Sequence, residues 1–311
     1  MHVFLAGASG AIGRPLVRQL TAAGHAVTGT SRSAAKADAL RALGAEPVVL
    51  DGLDRAAVLA AVAAAGPDAI VHEMTAIESL ADVRRPDRAF AATNRLRTEG
   101  TDNLLAAAHA AGVERILVQS FAGWPFARVG GPVKDEDAPL DADPPTRLRP
   151  LLDGIRHLEQ ATTAAGGIVL RYGGFYGPGT SVAPGGEQWE MARARKVPTV
   201  GDGNGVWSFV HVEDAAAATV AALERGRAGE LYNVCDDDPA PMREWVPALC
   251  AAAGGKPPRH IPRWVARLAG EHVVAMTCEV RGASNAKAKR ELGWAPRRSS
   301  WRDGFAALAH A

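Results

Sequence analysis

Three glycines spaced three apart, in Gly7-Ala8-Ser9-Gly10-Ala11-Ile12-Gly13, close one short apolar run and open an amphipathic one. That pattern suits phosphate binding. The first glycine permits a tight turn, the second lets backbone approach a pyrophosphate, and the third allows close helix–strand packing. The N–H groups freed at the helix start, with the helix dipole behind them, then favour an anion. The next apolar run ends in Thr30-Ser31-Arg32-Ser33, and no Asp or Glu follows the glycine turn before Asp38. A site that selects NAD places a carboxylate near this point for the ribose 2′-hydroxyl. Arg32, with Ser31, Ser33 and Lys36, offers charge-assisted donors for a 2′-phosphate instead. NADP(H) is therefore the expected cofactor, with NAD second. Asp51, ahead of Gly52 and Leu53, either accepts from the adenine amino group or caps a turn.

These residues need elements to hold them. Apolar runs at Val3–Ala6, Ala26–Thr30, Pro47–Leu50, Ala69–His72, Arg115–Gln119 and Ile168–Tyr172 read as strands. Between them, Ile12–Ala23, Ala34–Leu43, Ala56–Ala65, Pro86–Ala111 and about Leu148–Ala165 read as helices. Gly24, Gly44, Gly66, Gly112 and Gly166 stand just past these helices, where a left-handed residue ends a turn. Repeated βαβ units predict an α/β fold: a doubly wound Rossmann parallel sheet. After Arg171 the chain becomes rich in Gly and Pro. A helix at Ala215–Glu224, a strand at Leu231–Val234, and short helices follow, the last with a capping box at Ser300 and Asp303. The expected division is a dinucleotide domain of residues 1–172 plus about 206–234. A smaller substrate lobe takes about 173–205 plus 235–311.

Bulk properties exclude several classes. A formal net charge of +1 leaves no footprint for nucleic acid, and no apolar run is long enough to span a bilayer. Cys235, Cys250 and Cys278 are odd in number and lack metal-ligand spacing, so no metal is expected. Free thiols and a first strand starting at the N-terminus, with no signal peptide before it, predict a cytoplasmic protein.

The glycine turn, together with later blocks, resembles the extended short-chain dehydrogenase/reductase superfamily, its epimerase/dehydratase group. Those blocks are Leu170-Arg-Tyr-Gly-Gly-Phe-Tyr-Gly-Pro-Gly179, Gly201-Asp-Gly203, Ser208–Asp214, Leu231-Tyr-Asn-Val234 and Lys289-Arg-Glu-Leu-Gly-Trp294. The resemblance implies that Tyr172, Gly173 and Phe175 pass beside the nicotinamide and that Asn94 sits near the active site. With Met74, Thr75 and Ala76 after the fourth strand, and Gln119 and Ser120 after the fifth, these complete the expected cofactor set. It also implies a homodimer built on Pro86–Ala111 and the helix around Leu148–Ala165.

The sequence departs from that group at the chemistry. The group's usual Tyr-x-x-x-Lys pair, whose lysine lowers the tyrosine pKa for proton transfer, is absent. The residues four past Tyr172, Tyr176 and Tyr232 are Tyr176, Thr180 and Asp236. Aligning Glu159 with the group's glutamate puts Leu151 and Ile155 at the two catalytic positions. Substitute proton carriers are His157 and Asp153 (four apart on that helix), Tyr176 and Ser120. Phe121, Trp124, Phe126, Phe175 and Trp189 either line a cleft for a bulky, partly apolar substrate or pack loops. The expected function is an atypical NADP(H)-dependent oxidoreductase or epimerase acting on a small organic molecule. The alternatives are a cofactor-binding sensor without turnover, or a lyase or cyclase that uses the cofactor structurally.

Overall fold

The computed structural model describes residues 1–77, 79 and 85–310. Seven strands form one parallel sheet: β1 His2–Ala6, β2 Ala26–Ser31, β3 Glu46–Val49, β4 Ala69–His72, β5 Arg115–Phe121, β6 Ile168–Tyr172 and β7 Leu231–Val234. Their order is β7-β6-β5-β4-β1-β2-β3. The order reverses between β1 and β4, and the crevice at such a switch point is where doubly wound sheets bind ligands. The near-continuous Val, Ile, Leu and Ala runs of β1, β4 and β6 fit strands covered on both faces. On one face lie helices α1 Gly13–Ala22 and α5 Val212–Arg225, which pack on each other. On the other lie α2 Arg55–Ala65, α3 Thr101–Ala111 and α4 Arg149–Ala164. Gly66 and Gly112 end α2 and α3 in the left-handed region, as their positions predicted.

Two expectations change here. The single helix expected over Pro86–Ala111 is broken into Pro86–Ala89, Ala91–Arg95, a π-helical turn Leu96–Gly100, and α3. In the wider turn the Thr101 N–H reaches back to the Leu96 carbonyl, and the Thr98 hydroxyl donates to the Asn94 carbonyl at 3.1 Å. These hydrogen bonds offset the strain of the extra residue. Such turns inside helices concentrate at functional sites. At the C-terminus, Ser300 caps its helix by accepting the Arg302 N–H at 3.1 Å, without the reciprocal bond of a full box.

A second apolar cluster, with Tyr176, Trp189, Trp245, Leu249, Trp301 and Phe305, gathers chain from both segments expected in the smaller lobe. Ala288, Leu292 and Trp294, expected in that lobe, pack instead into the main core against α5 and β7.

Candidate functional site

The glycine turn sits where β1 meets α1. Gly7 has φ of 95°, and a Cβ there would lie 2.7 Å from the Glu73 carbonyl carbon and oxygen, so only glycine fits. The Gly10 N–H closes the turn on the Gly7 carbonyl at 3.0 Å. Gly7 donates to Thr30 Oγ1 at 3.1 Å, and Ser9 Oγ donates to Ser31 Oγ at 3.1 Å, which also accepts the Ser33 N–H at 3.2 Å. The turn is thus fastened to the end of β2. The N–H groups of Ser9, Ala11 and Ile12 find no acceptor among the described residues. With the dipole of α1 behind them, they fit the pyrophosphate of a dinucleotide.

One cleft gathers Gly7, Ser9, Gly10, Ser31, Arg32, Gly52, Met74 and Thr75 from the expected set, with Thr30, Ser33, Lys36, Leu50, Glu73 and Leu96. Arg32 and Lys36 are exposed and form no ion pair among the described residues. Asp51 is a turn builder: its Oδ1 accepts the Leu53 N–H at 3.0 Å, and its carbonyl accepts Asp54, which caps α2. Gly52 lies under the Met74 thioether, where a side chain would collide. Ala76 donates to buried Thr93 at 3.0 Å.

Behind this wall the polar groups are buried and electrically quiet. His72 Nδ1 accepts the Met74 N–H at 3.1 Å, so Nε2 carries the proton toward the Leu96 carbonyl at 3.2 Å. Burial pushes its pKa down to about 4, leaving it neutral. Burial pushes the Glu73 carboxyl up to about 8. Its Oε1 lies 3.0 Å from the Tyr172 hydroxyl, itself 2.7 Å from Thr219 Oγ1. With Glu73 protonated, one directional chain runs from Glu73 through Tyr172 and Thr219 to the Ala215 carbonyl. Glu73 Oε2 has no partner among the described residues.

The α4 face turned toward the sheet carries Leu151, Leu152, Ile155, Leu158 and Glu159, all buried. Glu159 accepts from Ser120 at 2.6 Å and from Arg171 Nε and Nη2 at 2.8 and 2.7 Å. The Arg171 guanidinium stacks 5.4 Å over the Phe126 ring. Ser120, expected to meet cofactor or substrate, therefore spends its proton inside this network. Neighbouring Gln119 keeps a buried Oε1 with no partner among the described residues.

The other expected proton carriers do not converge with the cleft. Two residues of offset turn a side chain roughly 200° around a helix, which puts Asp153 and His157 on the outer face of α4. Asp153 pairs with Arg156 at 3.0 Å and His157 with Asp102 at 2.7 Å, all exposed or partly so. Tyr176 is fully buried in the lobe cluster, edge-on to His211 and Phe305 at 5.2 and 5.6 Å. Burial drives its pKa far above the ordinary tyrosine value. Of the expected cleft aromatics, Phe126 and Trp189 are core residues. Phe121 and Trp124, with ring centres 6.5 Å apart, stay half-buried, as does Phe175, 5.3 Å from Tyr172. Gly173 is pressed against the Ser208 and Phe209 backbone. Asn94 faces α4: a Cβ on Gly154 would lie 3.4 Å from its Oδ1. Leu96 and Arg97, on the buried face of the π turn, were missed in the sequence; their helical spacing to Thr93, Gly100, Thr101 and Leu104 was the signal that could have found them.

Comparison with known proteins agrees with this geometry. Residues 3–235 match the model of the NAD dependent epimerase/dehydratase family. The chain is 46% identical to a 3-diazoavenalumate denitrifying reductase from Streptomyces sp, over 98% of this chain and 99% of that one. It is 28% identical to a 2-alkyl-3-oxoalkanoate reductase from Stenotrophomonas maltophilia, over 82% of this chain and 76% of that protein. The fold is shared with DesIV, a dTDP-glucose 4,6-dehydratase from Streptomyces venezuelae solved with NAD. The TM-score is 0.77 at 24% identity, covering 100% of this chain and 96% of that one. Among the described residues no helix is long and apolar enough to cross a membrane. With its parallel seven-stranded sheet, its glycine turn and a reductase relative along nearly its whole length, the chain belongs to the NAD-dependent epimerase/dehydratase family of the extended short-chain dehydrogenases/reductases.

Proposed function

We propose that the protein is an NADP(H)-dependent reductase that acts on a small, partly apolar compound bearing an arenediazonium group and removes that group as dinitrogen. One observation carries the reading: the α4 face where the family places its proton relay is apolar, with Leu151 and Ile155 buried. Reducing a carbonyl or an imine needs a proton at the heteroatom, and a positioned donor contributes about 10²–10⁴-fold to such a step. A diazonium carbon needs none. The C–N bond breaks, a C–H bond forms with the electron pair of one hydride, N₂ leaves, and no proton is consumed. The reductase relative named for a diazo compound supports this choice of substrate class. The nicotinamide, when bound, supplies the hydride. The chain's own part is to hold the phosphates on the N–H groups of Ser9, Ala11 and Ile12, and a 2′-phosphate with Arg32 and Lys36. Phe121, Trp124 and Phe175 exclude water from the substrate.

The reading includes a division into a dinucleotide domain and a substrate lobe, a cytoplasmic location, and a homodimer built on α3 and α4. A light-scattering mass of one 32.4 kDa chain at micromolar concentration overturns the dimer. The function is tested with a ¹⁵N-labelled arenediazonium compound and NADPH. The expected result is one labelled N₂ released per NADPH oxidised, at a rate flat between pH 6 and about 9. NADPH oxidation with ketones alone, and none with the diazonium compound, overturns it.

A further inference from the structure

Beside the cleft the interior holds a positive charge with no ion-pair partner among the described residues. Arg97, in the π turn Leu96–Gly100, is only 8% exposed. Its one described hydrogen bond is long, 3.4 Å from Nη1 to Asn94 Oδ1, and the Phe90 ring centre lies 6.0 Å from its guanidinium carbon. Among the described residues it reaches no carboxylate at ion-pair distance. Glu159 is near enough for the two charges to couple, but its oxygens are taken by Ser120 and both arms of Arg171. His72 is neutral, its pKa lowered in part by Arg97 itself, and Glu73 is protonated near pH 7.

Burial lowers Arg97 only to about 10, so it stays charged. A buried cation costs several kcal/mol unless a counter-ion meets it. The π turn packs directly on α4, where the buried Leu151 and Ile155 carry no charge. Leu96, the preceding residue, lines the cleft. The cofactor's phosphates have their own partners at the glycine turn and at Arg32, which leaves Arg97 to the other ligand.

We infer that Arg97 is the counter-ion for a carboxylate on the substrate, so that the cleft selects carboxylate-bearing compounds over their neutral amides. The guanidinium fork suits a carboxylate bidentately, and Phe90 supplies an apolar flank. The inference rests on the proposed reading for the position of the substrate beside α4.

The test is binding without turnover. Protein loaded with NADP⁺ is titrated calorimetrically with cinnamate and with cinnamamide, neither of which carries a diazo group. The carboxylate is expected to bind at least about tenfold tighter than the amide, as one charge-assisted pair warrants. Arg97→Met, close in length and uncharged, should bring the two within about twofold while leaving NADP⁺ affinity unchanged. Arg97→Lys should keep part of the preference, and it serves if the methionine variant fails to fold. Equal affinities in the parent, no cinnamate binding at millimolar concentration, or a loss of NADP⁺ affinity in either variant overturns the assignment. A protein inactive on diazo compounds can still pass this test, and an active one can fail it.

Discussion

Arg32 stands exposed at the mouth of the cleft, where β2 ends beside Ser31 and Ser33. An exposed guanidinium costs nothing to leave unpaired, so it is free for a 2′-phosphate. NADPH should bind more tightly than NADH by at least about tenfold, or 1.4 kcal/mol. Arg32→Ala should remove most of that gap and leave NADH unaffected; equal affinities in the parent, by calorimetry, would refute the role. This residue was legible because the local order of strand end, turn and helix fixes its place. Ser120 was not. Whether its hydroxyl faces a ligand or Glu159 depends on Arg171, a residue from a different strand, and no local pattern contains that choice.

On the scale of elements, helix α4 buries Leu151 and Ile155 and leaves Asp153 and His157 on its outer face. Its period was readable, yet its rotation was not, since Asp153 and His157 make as regular an i,i+4 pair as Leu151 and Ile155. Packing on the sheet settles the rotation by burying the apolar pair. His157→Ala then breaks an exposed ion pair worth about 1 kcal/mol or less. Tyr176→Phe removes a buried hydroxyl that has no partner among the described residues. Both variants should keep kcat/KM within about twofold of the parent, with an unshifted pH profile. A tenfold loss in either would return a proton-transfer role to that residue. The π turn before α3 belongs to this scale as well. Leu96 and Arg97 share its buried face with Thr93, Gly100, Thr101 and Leu104.

On the scale of the whole molecule, buried acids link stability to pH. Glu73 and Asp236 are both raised to about 8 by burial, with Asp238 and Asp237 adding to the Asp236 shift. Between about 4.5 and 8 the folded chain therefore binds more protons than the unfolded one, so stability falls as pH rises through that window and levels off above it. For Glu73, fully buried, the effect is on the order of a few kcal/mol. Glu73→Gln should flatten the decline of Tm between pH 6 and 9 and stabilise the protein above pH 8; parallel curves for parent and variant would contradict it. The sequence by itself determined the seven-stranded parallel sheet, the glycine turn and the place of Arg32 just past the second strand. Each of these is written in short-range signals: apolar runs, glycines past helices, a turn between adjacent elements. Only the tertiary structure decided which face of α4 meets the sheet, that Tyr176 lies in the second apolar cluster, and that Arg97 is buried with no counter-ion among the described residues. Those facts depend on side chains from distant segments competing for the same interior, and burial energies are set by that competition.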